Sequence, residues 1–359
     1  MTEKLSAYRG CLLGLAVGDA LGLAVDDKSW EEIQENYGPN GLLGYDLVNG
    51  SAEITSYTQL AAYSCNGLLV GLTRGRIDTA LDYIRLGLAE WTRSQLFYRD
   101  PETSFCYVAK IPQMRGRRCR DSRMLDALRR NDLGSPEKPK KINEYPGSLT
   151  VAVAAGMFYN EERMSPAKLG RLSAEAVALT HGAQSAFLSG AFVAYCIAGI
   201  LQSPEHTLKE QFLQAAQAVQ EQFHSSFPQV CLLTGDIERT IAAAENCDDP
   251  RQTMEQLRCD TAAECLQGAI FACLLHPDDF DAAMILAVNH SGRSCAVGAL
   301  TGAFLGAKMG EDTLPEFYLE SLEQREILEN LAEDMAQGSI TRGLFDDDWD
   351  HKYGQGLPV

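Results

Sequence analysis

Apolar residues along this chain recur at steps of three and four. In "IDTALDYIRLGLAEWTRS" the positions Ile77, Leu81, Ile84, Leu88 and Trp91 fall on one face of a helix. The same spacing predicts helices over 167–180, 186–201, 207–223 and 314–336. No sustained two-residue alternation with β-branched enrichment occurs, so the pattern predicts an all-α fold. Between 94 and 148 the periodicity fades. Pro101, Pro112, Pro136, Pro139 and Pro146 stand there among polar residues, which predicts loops and short helices. Helical patterns of like composition flank that stretch, so the expectation is one domain over 1–345 rather than two joined by a linker. Residues 346–359, within "FDDDWDHKYGQGLPV", form an acidic tail expected to be loosely held.

Two helical segments share a second pattern. Gly10, Gly14, Gly18 and Gly22 recur every four residues, as do Gly298, Gly302 and Gly306. Residues four apart share a helical face, so each segment presents a smooth ridge that another backbone can approach closely. Glycine inside a helix costs about 0.5–1 kcal/mol relative to alanine. Tight packing has to offset that cost.

Composition narrows the function classes. A chain of 359 residues with 45% hydrophobic side chains can bury a large core without covalent staples. Its net charge of −18 repels nucleic-acid phosphates and anionic membranes, so neither is expected as a partner. The basic exceptions are the arginine-rich "RGRRCRDSR" at 115–123 and "EKPKK" at 137–141, read either as a solvated connection or as a docking site for phosphate or an acidic partner. Eleven cysteines are scattered singly with no C-x-x-C pair, which fits neither a disulfide framework nor a zinc site and points to a reducing cytoplasm. The N-terminal run "CLLGLAVGDALGLAV" is interrupted by Asp19, lacks a following cleavage site and is too short to span a bilayer.

"YRGCLLGLAVGDALGLAV" resembles the N-terminal signature of the ADP-ribosylglycohydrolase family, which includes the dinitrogenase reductase-activating glycohydrolases. The likeness continues through "EITSYTQLAAYSCNGLL", "ALTHGAQSAFLSGAFVAYCIAGI", the stretch from "AAECLQGAIFACLL" to "GALTGAFLGAKMG", and "LPEFYLESLEQREILENLAEDM". The resemblance implies a compact all-α fold. It also implies a site where two magnesium ions between helix ends help cleave the glycosidic bond joining ADP-ribose to a side chain or small acceptor. Hard divalent cations need oxygen ligands, and two close together need several carboxylates. The family supplies these from a Thr-Asp-Asp-Thr-Gln motif and a Gly-Asp-x-Asp-Ser/Thr motif.

Here both motifs are altered. Thr55, Thr58 and Gln59 match the first, but Ser56 and Tyr57 stand at its paired aspartates. In "NHSGRSCAV" the aspartate positions of the second fall on Arg293 and Cys295, and the hydroxyl position on Ala296. A glycine-rich loop followed by Met-Arg in the family reads "YPGSLTVAV" here. It keeps Gly147 and Ser148, gains Pro146, which has no N–H, and carries Val151 near the arginine position. Thr180, His181 and Gly182 match the family's Thr-His-Gly segment, and Asn289 and His290 precede the second motif as expected. The expectation is therefore no metal ligands, no cofactor and no catalytic residue of the usual kind. An ADP-ribose-like molecule or an ADP-ribosylated protein would be held by Thr55, Ser56, Tyr57, Gly147, Ser148, His181, Asn289, Arg293 and Cys295.

Each altered position also has a structural reading. Ser56 with Gln59 spells an S-x-x-Q capping box. Tyr57 either fills the vacated space or stacks on an adenine or ribose face. Arg293 either pairs with a ligand phosphate or forms an ion pair with a carboxylate such as Asp19 or Glu53. Cys295 is a small buried thiol or a nucleophile lowered by Arg293, and His181 is a core histidine or one facing the cleft. Three functions follow: a non-catalytic binder, a divergent metal-independent hydrolase using Glu53 or Asp19 as base, and a purely structural protein with a closed cleft.

Overall fold

The computed structural model describes residues 2–96, 104–119, 121–339 and 346–354. Pro101, Arg120 and residues 340–345 and 355–359 lie outside the described residues. Among the described residues the chain is helical, with isolated bridges and no strand. In chain order the helices begin with α1 (Glu3–Gly22), α2 (Trp30–Tyr37), α3 (Ser56–Thr73), α4 (Ala80–Leu96), α5 (Tyr107–Lys110) and α6 (Ser122–Arg130). The middle holds α7 (Leu149–Phe158), α8 (Pro166–Ala178), α9 (Gln184–Gln202), α10 (Leu208–Phe223), α11 (Val230–Glu245) and α12 (Pro250–Gln256). Then come α13 (Ala262–Leu275), α14 (Phe280–Val288), α15 (Ser294–Met309), α16 (Glu316–Leu319), α17 (Arg325–Gln337) and α18 (Asp347–Trp349). The all-α expectation holds. The stretch 94–148 has the short helices and turns its prolines predicted, whereas 314–336 divides into α16 and α17 at a turn where Gln324 takes φ +62°.

The two glycine ridges pack against each other, with α1 and α15 running antiparallel. A Cβ on Gly14 would fall far inside van der Waals contact of the Gly302 carbonyl oxygen, and one on Gly302 would meet that of Gly14. Gly18 pairs with Gly298 and Gly10 with Gly306 in the same reciprocal way. Backbones this close exchange Cα–H···O contacts that side chains would prevent. The antiparallel register sets the C-terminal end of α1 beside the N-terminal end of α15, with Gly22 against Ser294 and Cys295. Around this pair the apolar faces of α3, α7, α9 and α13 close the core. By length and composition α9 could cross a bilayer, but 78% of its apolar stretch is buried inside the fold.

Residues 346–354, the described part of the acidic tail, are packed rather than loosely held. Asp346 caps α18, and Trp349 and Tyr353 are buried edge to face, 4.8 Å between ring centroids. Trp349 Nε1 donates to Thr73 Oγ1 at 2.8 Å, and the Tyr353 hydroxyl donates to Asp334 Oδ2 at 2.7 Å. Composition suggested solvation because the acids dominate it. The two aromatic rings decide the outcome instead.

Candidate functional site

Three helix ends converge: the C-terminal turn of α1 and the N-terminal turns of α3 and α15. The free amides of α3 are satisfied from α1. Asp19 accepts the Thr55 and Thr58 N–H groups at 2.8 and 3.1 Å and both their hydroxyls at 2.5 and 2.6 Å. Burial pushes the Asp19 carboxyl above its usual range, against the pull of those four donors. The predicted Ser56–Gln59 capping box does not form. Thr55 is the N-cap, its hydroxyl accepting the Tyr57 N–H at 3.2 Å. Gln59 instead accepts from Trp91 Nε1 at 3.0 Å and Gln95 Nε2 at 3.1 Å. A capping carboxylate arriving from another helix left Gln59 available to tie α3 to α4.

Tyr57 is 1% exposed and fixed through its carbonyl, which accepts from Thr150 Oγ1 at 2.8 Å. Its phenol lies among Tyr145, Asp26, Cys265 and Cys295. Burial first, then these neighbours, raise its pKa well above the phenol range. Cys295, 0% exposed, donates its backbone N–H to Asp26 Oδ1 at 3.1 Å. Arg293 pairs with neither Asp19 nor Glu53. Asp19 is enclosed by its four donors, and the Arg293 guanidinium reaches Asp27 on one side and Asp260 Oδ1 on the other, at 3.0 Å from Nε and 2.9 Å from Nη2. It also covers the Tyr145 ring at 5.0 Å.

Gly147 and Ser148 form a buried turn, Pro146–Ser148, next to Tyr145, where a Cβ on Gly147 would stand 3.8 Å from that of Asp121. His181 is 0% exposed, with Nε2 3.1 Å from Asp121 Oδ2 and Nδ1 2.8 Å from Thr180 Oγ1. Burial raises the Asp121 carboxyl, but His181, followed by Asn143, more than reverses this and leaves it at about 2. Asn289 is taken up elsewhere: its Oδ1 accepts the Leu42 N–H at 2.7 Å, and its Nδ2 donates to the carbonyls of Leu42 and Ile285.

The structure therefore gathers Tyr57, Gly147, Ser148, Arg293 and Cys295 around Tyr145, sets His181 behind them through Asp121, and gives Asn289 a loop to hold. Tyr145, Asp26, Asp27, Asp121 and Asp260 were not identified from sequence. The Asp26–Asp27 pair just beyond the glycine ridge was the one available signal. A cleft of about 290 Å³ remains at the mouth, lined by Leu23, Glu53, Ile54, Thr55, Arg117, Arg118 and Cys119. Arg118 is fixed there by Glu323 (Nη2 to Oε1, 2.7 Å) and by the Ile54 carbonyl, while Arg117 is exposed. Residues 117–119 of the arginine-rich segment thus form a wall of the cleft. Among the described residues, no group of three or more His, Cys, Asp or Glu side chains is placed to hold a metal ion.

His290, buried beside this site with Nε2 3.0 Å from the Ala287 carbonyl, is pulled down to about 4, chiefly by burial. The unfolded chain protonates this residue near 6.5 and the folded chain does not, so stability falls as pH drops from about 6.5 to 4. His290→Gln is expected to remove about 2–3 kcal/mol of the loss between pH 7 and pH 4.5 in urea unfolding. Parallel pH profiles for the two proteins would refute this.

The ADP-ribosylglycohydrolase family description matches residues 1–344. A protein of Archaeoglobus fulgidus, described as uncharacterized, is 26% identical over 345 residues that cover 92% of this chain and 95% of that protein. The fold is also similar to a solved ADP-ribosylglycohydrolase-related protein complex, with a TM-score of 0.57 at 20% identity over 94% of this chain and 100% of that one. A match running almost from end to end, over helices packed as this resemblance implied, places the chain in the ADP-ribosylglycohydrolase family.

Proposed function

We propose that this chain does not cleave ADP-ribosyl bonds through a magnesium pair and acts as a reader of an ADP-ribose-like ligand, free or attached to a protein. The observation that carries this reading is what stands at the two motif positions: the buried Tyr57 ring, and the Arg293 guanidinium already paired with the half-exposed Asp27 and Asp260. Two magnesium ions do not fit that donor set. The first motif offers a hydroxyl and a phenol, the second a cation and a buried thiol, and both oxygens of Asp19 accept hydrogen bonds. The cleft at the mouth remains for the ligand, with the exposed Arg117 available to a phosphate.

The test is titration of ADP-ribose into the protein by calorimetry, with magnesium and again with EDTA, alongside release of ADP-ribose from a modified protein. Binding indifferent to EDTA without release is the expected result. Magnesium-dependent release sinks the proposal, and no binding in either buffer turns the reading to a closed scaffold. One observation favours a second reading, a metal-independent hydrolase: Glu53 lines the same cleft, half-buried beside Arg118. Release that survives EDTA and disappears in Glu53→Gln would establish it. Asp19, the other carboxylate suggested by sequence, is fully buried with its two oxygens engaged in capping α3, and so is out of reach of solvent.

A further inference from the structure

Among the described residues, six other than glycine take left-handed φ angles. Three of them, Asp27 (+64°), Arg258 (+62°) and Cys259 (+52°), border Gly292 and Arg293. The Asp27 N–H donates to the Gly292 carbonyl at 3.1 Å, and the Arg293 N–H donates to the Cys259 carbonyl at 2.8 Å. A Cβ on Gly292 would stand only 2.6 and 2.7 Å from the carbonyl oxygens of Arg258 and Cys259. Such backbone conformations cost free energy and persist only where surrounding contacts over-determine them.

Beside these backbone hydrogen bonds, one side chain ties the same segments together. The Arg293 guanidinium lies between Asp27 and Asp260 with its face over Tyr145. Asp27 belongs to the segment leaving α1, Asp260 to the segment entering α13, and Arg293 to the segment entering α15. Three strands of chain are therefore gathered at a single positive charge, in a protein of net charge −18. Without that charge two carboxylates would flank one point with nothing between them, which electrostatics disfavours.

We infer that Arg293 is the resident cation of this centre, holding Asp27 and Asp260 as a diffusible divalent ion would otherwise have to. The inference rests on the reading that no magnesium pair sits here, and it deepens that reading by naming what replaced the ions. A guanidinium carried on the chain cannot dissociate or be chelated, and its planar fork can address two carboxylates at once. The fold then needs no metal supply to complete its centre.

Melting temperatures of the full chain, in EDTA and in millimolar MnCl2, test this. The natural sequence is expected to melt alike in both. Arg293→Met keeps an apolar stem over Tyr145 but removes the charge; it is expected to melt several degrees lower in EDTA and to recover in Mn2+, as the free ion takes the place between Asp27 and Asp260. Adding Asp260→Asn is expected to abolish the recovery. The inference is overturned if Arg293→Met melts like the natural sequence, if Mn2+ gives it no recovery, if recovery persists in the double variant, or if Mn2+ raises the natural sequence equally. Should Arg293→Met be insoluble, Arg293→Lys carries the test: lacking the fork, it melts below the natural sequence, and equality overturns the inference. ADP-ribose release is not read in this experiment, so failure of the functional proposal and failure of this one are separable.

Discussion

Gly302→Val is expected to leave the chain unable to reach its native state. The new Cβ would lie inside the radius of the Gly14 carbonyl oxygen, and the atom it strikes is backbone, which cannot rotate away as a side chain can. Overpacking in an adaptable core costs about 1–3 kcal/mol. Here α1 and α15 would have to separate along their length, opening the Gly10–Gly306 and Gly18–Gly298 contacts as well, so a loss above about 4 kcal/mol is expected. That is a large share of the roughly 5–15 kcal/mol by which a domain is stable. Soluble yield and urea unfolding read the result. Gly235→Ala is the control, since Gly235 lies inside α11 with only the Arg239 side chain near its Cβ position, at 3.4 Å. It is expected to be neutral or stabilising by about 0.5–1 kcal/mol. A Gly302→Val protein as stable as Gly235→Ala would refute the backbone-contact account.

Trp349→Ala is the second large effect. The indole is buried 1% exposed, packs against Tyr353 and donates to Thr73 at the end of α3. Removing a buried Trp costs about 3–5 kcal/mol through lost transfer energy and the cavity left behind. Thr73→Val removes the hydroxyl that accepts from Trp349 and donates to the Leu69 carbonyl at 2.8 Å, while keeping the indole, and is expected to cost about 1–2 kcal/mol. Urea unfolding of both variants gives the comparison. If Trp349→Ala costs no more than Thr73→Val, the tail adds a contact to α3 without adding to the core.

What the sequence made legible was local. Glycine spacing in α1 and α15 predicted two backbones in close approach, because a four-residue period is a property of one helix. The helical faces of α4, α8, α9 and α10 were readable for the same reason. Pairings across long separations were not. Nothing around Ser56 announces that Asp19, 36 residues before Thr55, would cap α3, and so the capping box was wrongly assigned to Ser56 and Gln59. Arg293 marked itself as a charge in an unexpected place, but its partners come from segments 266 and 33 residues away. Residues 346–354 pack although their charge predicts a loose tail, because two aromatic rings find a receiving surface, on α3 and α17, that exists only once the rest has folded.

The α1–α15 seam also bears on how the chain is made. Gly10 and Gly14 are synthesised almost 300 residues before their partners Gly306 and Gly302. At about 5–20 residues per second, the first helix waits on the order of 15–60 s for the surface it is shaped to meet. During that interval the glycine face of α1 has no native cover. The protein cannot assemble from its N-terminus outward as a multidomain chain does. This joint cannot close until Gly306 has been made, so the face of α1 that meets α15 stays without its partner through most of translation.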